Sequence, residues 1–336
     1  MNNNKINKSI DIQNVYPLPD EIFIRIFSNL SFKDLVTTKT VTKKFCLLIE
    51  KYYFLMNREK PLILYITNKS QQSLPSSFSI TISLVVQKNE TNFSKKNISN
   101  RNELVRSLRM FNMINLNSII ITSCNNIGIY NVINTIFPQK LSIKSFCINT
   151  FTHKDIKDFE IFVKKLEKIE ELEIRHICYN KNYDINYLWI NLSCITSLQK
   201  VVFTECKNTK FLNLKFLLEL FERNIQLKYI DIRSPNKNFI KDIGNNFIEK
   251  EELIEYEICN HNDIQIHLYT EGEVGDIFVN TNNNNFENIR NYQFLATLHH
   301  EEISFEKLCK LCHRNWRKWD MSCKSKDFSF HDNFLS

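Results

Sequence analysis

Glycine is scarce in this chain of 336 residues. Only four occur, at Gly128, Gly244, Gly272 and Gly275. The common phosphate-binding fingerprints, GxGxxG and GxxxxGK[ST], each need glycines at fixed short spacings. These four positions supply neither pattern, so the sequence excludes nucleotide binding of those kinds.

Long apolar runs and an export signal are also missing. No stretch of about 18 apolar residues occurs, as a membrane-spanning helix requires, and the polar start MNNNKINKSIDIQNVY has no signal-peptide core. The ten cysteines are mostly isolated among apolar residues, which is typical of reduced, buried thiols. We therefore expect a protein of the cytoplasm, the nucleus or both, with no membrane segment and a disordered tail at residues 1–16.

Motifs of catalytic and metal sites are missing or poorly placed. Neither HExxH nor GxSxG occurs, and the eight histidines show no catalytic pairing. Residues 309–313 match the C-x-x-C-H string of c-type haem attachment, which is typical of exported proteins. A zinc site that adds Cys323 would fit none of the common spacings. The sequence predicts a protein that is not an enzyme and uses no metal or cofactor.

The composition is that of a folded protein with a large core. Hydrophobic residues make up 43% of the chain, and its length allows two or three domains or one elongated array. The net charge of +7 is modest, and acidic and basic residues are mixed. Composition alone therefore gives no reason to expect nucleic acid as a partner.

Residues 17–54 predict three short helices. Apolar residues recur at helical spacing in the first helix, and Ser31 followed by Asp34 indicates a new helix start. A further apolar stripe runs from Val41 to Tyr52. So short a segment cannot bury all of its large apolar side chains, so part of this surface must contact something else.

Residues 18–22 (LPDEI), Ile26, Leu30, residues 34–35 (DL) and residues 41–45 (VTKKF) follow one another in a characteristic order. In this order they resemble the F-box, here at residues 17–57, the module that binds the Skp-type adaptor of cullin-based ubiquitin ligases. Many F-boxes carry Trp where this chain has Phe45, and the smaller ring without an indole donor is expected to weaken docking. The alternative is that the three helices only cap the domain that follows. The resemblance implies that the adaptor interface or its supporting core is formed by Leu18, Pro19, Ile22, Ile26, Leu30, Leu35, Val41 and Phe45.

Residues 58–112 show weaker secondary-structure patterns than the segments around them. We interpret them as a linker with one or more degenerate first repeats. Alternating or apolar runs predict strands at residues 61–67 and 78–86. The polar segment 88–102 predicts an exposed loop, and residues 102–111 predict a helix.

A repeat of the form L-x-x-L-x-L-x-x-N/C then appears. Its first positions lie 27, 26, 29, 29, 26 and 36 residues apart, with helix patterns between them. This resembles leucine-rich repeats and implies an irregular α/β solenoid, or horseshoe, over residues 113–300, with an insertion near 262–288. The alternative is an ordinary α/β sheet domain. The first three positions of each repeat are Leu116, Ile119, Ile121; Ile143, Phe146, Ile148; Ile169, Leu172, Ile174; Leu198, Val201, Phe203; Leu227, Ile230, Ile232; Leu253, Tyr256, Ile258; and Ile289, Tyr292, Phe294.

Residues 301–336 are predicted to form a C-terminal capping helix and a tail. Phe305, Leu308, Cys312, Trp316 and Trp319 follow helical spacing, and a solenoid needs a cap at its end. Basic residues on the other side of this helix leave nucleic-acid binding as an alternative, although one short basic helix is more often a solvated face.

Residues between the apolar positions of each strand should face the concave side of the solenoid. One such column is Ile120, Cys147, Glu173, Val202, Asp231, Glu257 and Gln293. The alternative to recognition is that the charges pair across strands. The predicted target-binding residues are Glu173, Arg175, Asp231, Arg233 and Glu257.

The two resemblances together imply a substrate receptor of an SCF-type ubiquitin ligase. It would bind a Skp-type adaptor, a cullin through that adaptor, and a target protein on the concave face. The alternative is a leucine-rich-repeat scaffold without a role in ubiquitin transfer.

Overall fold

The computed structural model describes residues 18–68, 80–86, 93–98, 100–122, 128–178, 192, 194–207, 209, 211–249, 264–270, 297–299, 302–308 and 315–322. The predicted tail at residues 1–16 lies outside them. The chain divides into two compact units. The first comprises Met1–Glu59 with Arg109–Asn112, and the second comprises Lys60–Leu108 with Met113–Ser336. No helix among the described residues is long and apolar enough to cross a membrane.

The first unit contains the three predicted helices, α1 (Asp20–Ser28), α2 (Phe32–Val41) and α3 (Lys43–Lys51). The side chain of Ser31 begins α2, because its Oγ accepts the backbone N–H of Asp34 at 3.2 Å. Its hydroxyl also donates to the Asp34 carboxylate at 2.6 Å. The predicted start signal is confirmed, since this side chain satisfies an N–H that has no partner within the helix.

The second unit is a mixed α/β structure around one sheet. Its helices are α4 (Arg101–Arg109, the last residue of which belongs to the first unit), α5 (Ile129–Ile136), α6 (Ile156–Val163), α7 (Leu214–Arg223) and α8 (Lys237–Glu249). Its strands are β1 (Pro61–Asn68), β2 (Ile80–Val86), β3 (Phe93–Ile98), β4 (Ser118–Thr122), β5 (Leu141–Thr152), β6 (Leu166–Cys178), β7 (Lys200–Glu205), β8 (Tyr229–Arg233), β9 (Ile264–Tyr269), β10 (Thr297–His299), β11 (Glu302–Leu308) and β12 (Asn315–Ser322).

The described strands lie in the order β10-β11-β12-β9-β8-β7-β6-β5-β4-β1-β2-β3. From β4 to β9, neighbours in the sheet are also consecutive along the chain and run parallel. The parallel stretch continues to β1 on one side and to β12 on the other. Antiparallel strands end the described sheet on both sides, β2 and β3 beyond β1 and β11 and β10 beyond β12.

The apolar repeat positions form the core of this unit. In the five repeats that begin between Leu116 and Leu227, the first three template positions are all buried. Helices cover them, since Phe159 of α6 packs on Phe146 of β5 with ring centroids 5.9 Å apart. Phe216 of α7 packs likewise on Phe203 of β7 at 5.8 Å. The period-two burial places the alternating residues on the opposite face of the sheet.

The structure differs from the sequence predictions in two polar or interrupted segments. Within the predicted loop 88–102, residues 93–98 form β3, a polar strand that pairs with β2. The sequence of the insertion near 262–288 indicates a hairpin and an Asn-rich loop outside the repeats, but its strand at residues 264–269, β9, continues the repeat sheet and pairs parallel to β8. The template missed β9 because Asp263 stands where it requires its first apolar residue. The sixth and seventh predicted repeats, at residues 253–261 and 289–297, lie almost wholly outside the described residues.

The predicted C-terminal capping helix is also wrong. Residues 302–308 and 315–322 are the antiparallel strands β11 and β12, and β12 pairs parallel to β9. Apolar residues three or four apart fit a helix, but two strands joined by a short connection can carry the same spacing. Pairing with β9, distant in sequence, decides between the two, and local periodicity cannot detect it.

Candidate functional site

Helix α1 carries apolar side chains on two faces. Phe23 and Phe27 are buried in the first unit. Leu18, Ile22 and Ile26, spaced four residues apart, are 42%, 42% and 45% exposed. Ile22 and Ile26 lie on one side of α1, because residues at i and i+4 share a face of a helix. Leu18 is exposed two residues before the helix begins. We call Leu18, Ile22 and Ile26 the α1 stripe.

The remaining predicted adaptor residues separate into surface and core. Pro19 and Val41 are exposed, and Leu30 is half-buried. Leu35 is completely buried, so it belongs to the supporting core. Val36 and Leu47 are further exposed apolar residues that were not among the predicted adaptor residues. Leu47 lies outside the apolar stripe predicted from Val41 to Tyr52, so helical spacing alone did not select it.

Phe45 is a core residue that joins α3 to α1. Its half-buried ring lies 5.1 Å from the rings of both Phe23 and Phe27. An ion pair between Lys44 and Asp20 at 2.8 Å joins the same two helices, but its exposure limits its contribution to about 0–1 kcal/mol. The packing of Phe45 therefore supports the helix that carries the α1 stripe.

A second, distant segment completes the first unit. Phe111 is buried, and its ring centroid lies 4.8 Å from that of Phe32 at the start of α2. The guanidinium of Arg58 donates to the Phe111 carbonyl at 3.1 Å. The backbone N–H of Asn112 donates to the carbonyl of Glu59 at 2.8 Å. The helical unit is therefore built from two parts of the chain, which local sequence patterns cannot reveal.

The face of the sheet opposite the helices carries the predicted target-binding column. The register aligns Ile120, Cys147, Glu173, Val202 and Asp231 on neighbouring strands, as predicted. The next residue is His267 of β9, whose ring lies 5.2 Å from that of Tyr229. Glu257, predicted for this place, lies outside the described residues.

The four predicted charges that the structure describes pair along strands and not across them. Arg175 Nε donates to Glu173 at 2.7 Å, and Arg233 Nε donates to Asp231 at 3.2 Å. The hydrogen bond to Glu173 raises the pKa of Arg175 above its ordinary value. Burial lowers the pKa of Arg233, but the hydrogen bond and charge of Asp231 outweigh it and raise that pKa overall. Both guanidinium groups therefore stay charged.

Each arginine is more exposed than its carboxylate partner. The side chains of Arg175 and Glu173 are 55% and 29% exposed, and those of Arg233 and Asp231 are 43% and 8% exposed. The Arg233 guanidinium also lies 4.6 Å from the centre of the Tyr269 ring. Such a mixture of anchored arginines and tyrosines is typical of the energetically important part of protein interfaces.

The residues proposed for nucleic-acid binding lie on a strand. Trp316, Arg317, Lys318 and Trp319 belong to β12, so these residues are not on the basic helix that this alternative required. Residues 309–313, with the C-x-x-C-H string, lie outside the described part of the chain. Within the described part, no group of three or more His, Cys, Asp or Glu side chains is placed to hold a metal ion.

Comparison with known families gives one informative match. Residues 17–57 match the F-box domain family, so the first unit contains an F-box domain. This match covers the α1 stripe and all the predicted adaptor residues, but not the segment that contains Phe111. It does not extend to the sheet, and the leucine-rich-repeat prediction has no family match to support it. No curated protein matches the chain.

Proposed function

We propose that the protein is the non-catalytic substrate-recognition subunit of an SCF-type ubiquitin ligase, acting in the cytoplasm, the nucleus or both. The F-box would bind a Skp-type adaptor, and through it a cullin. The exposed face of the sheet would bind a target protein. Such a receptor acts by proximity, because holding the target beside the ligase raises its effective concentration there.

The α1 stripe, within the segment that matches the F-box family, is the observation that carries this proposal. Its three side chains project away from the core and remain more than two fifths exposed. Covering the exposed part of one isoleucine contributes about 1 kcal/mol. The stripe can therefore supply a substantial share of the free energy of adaptor binding, to which Val41 and Leu47 add if the interface extends to them.

For the second unit we propose an irregular leucine-rich-repeat solenoid. Support comes from the parallel strands that follow chain order from β4 to β9 and from the buried apolar positions of five repeats. Stacked units of this kind bury a continuous core that no single repeat could bury alone. The target would contact the column from Glu173 to His267 and the two arginines beside it.

Adaptor binding by the purified full-length chain tests the F-box part. Introducing charge with Ile22→Asp and Ile26→Asp should weaken binding by at least a hundredfold, because both carboxylates would have to be desolvated in the interface. Ile225→Asp is the matched control, since Ile225 is 72% exposed in the second unit. Circular dichroism would verify that each variant is folded. The proposal fails if the intact chain does not bind, or if the double variant binds as well as the control.

Proximity labelling in cells tests the target-binding part. Arg175→Glu with Arg233→Glu should remove the captured target while leaving adaptor binding intact. Unchanged capture would mean that this face is not the target site. Target capture without any adaptor binding would instead favour a scaffold that has no role in ubiquitin transfer.

A further inference from the structure

A β-bulge in β6 brings two cysteines together. Ile174 pairs with Phe203, and Ile177 pairs with Glu205. Two residues of β6 therefore stand opposite one residue of β7 between these pairs. Without the extra residue, Ile177 would lie opposite Cys206. With it, Cys178 takes that place, and the backbone N–H of Cys206 donates to the Ile177 carbonyl at 3.0 Å.

Cys178, at the end of β6, and Cys206, just after β7, lie side by side and are not joined in a disulfide. Both are half-buried, and each thiol shifts the pKa of the other. Neighbouring strands lie about 4.8 Å apart, which is within the range of about 4.4–6.8 Å that disulfides require between Cα atoms. Ile177 and Glu205, the preceding residues, are buried on the other face.

We propose that Cys178 and Cys206 form a redox-sensitive dithiol, which a peroxide oxidises to an intramolecular disulfide. The Cys178 thiolate would attack one peroxide oxygen and break the O–O bond, giving a sulfenic acid and, from hydrogen peroxide, hydroxide that takes up a proton to become water. The Cys206 sulfur would then displace the sulfenic oxygen, which leaves as a second water. In total, the two thiols lose two electrons, and these two electrons reduce one peroxide molecule.

The surroundings assign different roles to the two sulfur atoms. The hydrogen bond from Cys206 lowers the pKa of Cys178 and outweighs the opposing effect of burial. The pKa of Cys206 is raised, first by its hydrogen bond to Cys178 and then by burial. Burial also raises the pKa of Cys194, which is not paired in this way. Because the thiolate is the nucleophile, Cys178 should react first and Cys206 should resolve the sulfenic acid.

Peptide mapping of the peroxide-treated full-length protein tests this inference. The reduced chain would carry Cys309→Ser and Cys312→Ser, to remove the closely spaced pair near the C-terminus. It would be treated with one equivalent of hydrogen peroxide, alkylated and digested with trypsin. The expected product links the peptide of residues 176–181 to that of residues 201–207, with the loss of two hydrogen atoms. Cys194→Ser is the matched control and should leave this product unchanged.

Single substitutions separate the two roles. In Cys206→Ser, the disulfide cannot form, and dimedone should trap Cys178 as its sulfenic acid. In Cys178→Ser, Cys206 should stay unlabelled. The inference is overturned if both cysteines remain reduced while Cys194 is oxidised, if the disulfide joins other cysteines, or if dimedone labels Cys206 in preference to Cys178. Circular dichroism would verify that the serine variants are folded.

Discussion

Replacing Glu205 with glutamine should remove a pH dependence from the stability of the sheet-containing unit. Glu205 ends β7 and is almost completely buried. One carboxylate oxygen accepts the backbone N–H groups of Phe211 and Leu212, at 2.5 and 2.7 Å. The Ser234 hydroxyl donates to the other oxygen. The side chain therefore joins the segment after β7 to the residue that follows β8.

Burial dominates the electrostatics of this group. It raises the pKa of Glu205 from 4.5 to about 7, even though the hydrogen bonds from Ser234, Leu212 and Phe211 favour the charged form. The folded state thus holds the proton more tightly than the unfolded state. The resulting stabilisation is complete below pH 4.5 and is lost as pH rises to about 7. At about 1.4 kcal/mol for each pH unit, the change is about 3 kcal/mol.

Urea unfolding at pH 4.5 and at pH 7.5 measures this effect. Other titrating groups act alike in both proteins, so the informative quantity is the difference in unfolding free energy between the wild type and Glu205→Gln. That difference should shift by about 3 kcal/mol in favour of the variant as pH rises. Glu219→Gln removes an exposed carboxylate from α7 and should show no such shift. A difference that stays constant with pH, or shifts in favour of the wild type, would refute the reasoning.

Substitutions at three positions test the helical unit. Phe45→Ala removes the ring between α1 and α3 and should lower the thermal midpoint of unfolding. The expected loss of unfolding free energy is about 2–3 kcal/mol for a half-buried ring, and an unchanged midpoint would contradict the role of Phe45 in the core. Ser31→Ala removes the cap of α2 and should cost about 1 kcal/mol in chemical unfolding, whereas Ser31→Asp should retain most of the stability. Phe111→Ala should cost about 3–5 kcal/mol and weaken adaptor binding, although Phe111 lies outside the matched F-box segment; full binding at physiological temperature would argue against a two-part unit.

The sequence predicted the features of the fold that depend on local spacing. Apolar residues at fixed short intervals located β4 to β8, because a strand that packs on helices must bury alternate side chains. The α1 stripe was predictable for a related reason, since the segment has more apolar surface than three short helices can bury. In each case, neighbouring residues along the chain carried the whole signal.

Features that depend on distant pairing could not be predicted in this way. The polar strand β3 looks like a loop, because its strand character comes from pairing with β2. The extra residue of β6 appears only against the register of β7. The segment with Phe111 joins the helical unit through a contact with Phe32, far away in sequence. A single sequence records none of these pairings.

The position of β9 changes what the exposed face of the sheet offers a partner. His267 takes the place predicted for Glu257 beside Asp231, so the described column has one carboxylate fewer and gains an imidazole. The remaining carboxylates of Glu173 and Asp231 are largely covered, whereas Arg175 and Arg233 are the more exposed members of their pairs. A partner that approaches this face therefore meets positive charge first, which favours an acidic target surface over one with equal numbers of both signs. Reversing the charges of Arg175 and Arg233 is therefore a sharper test than changing their carboxylate partners, because the arginines are the charges that a partner contacts.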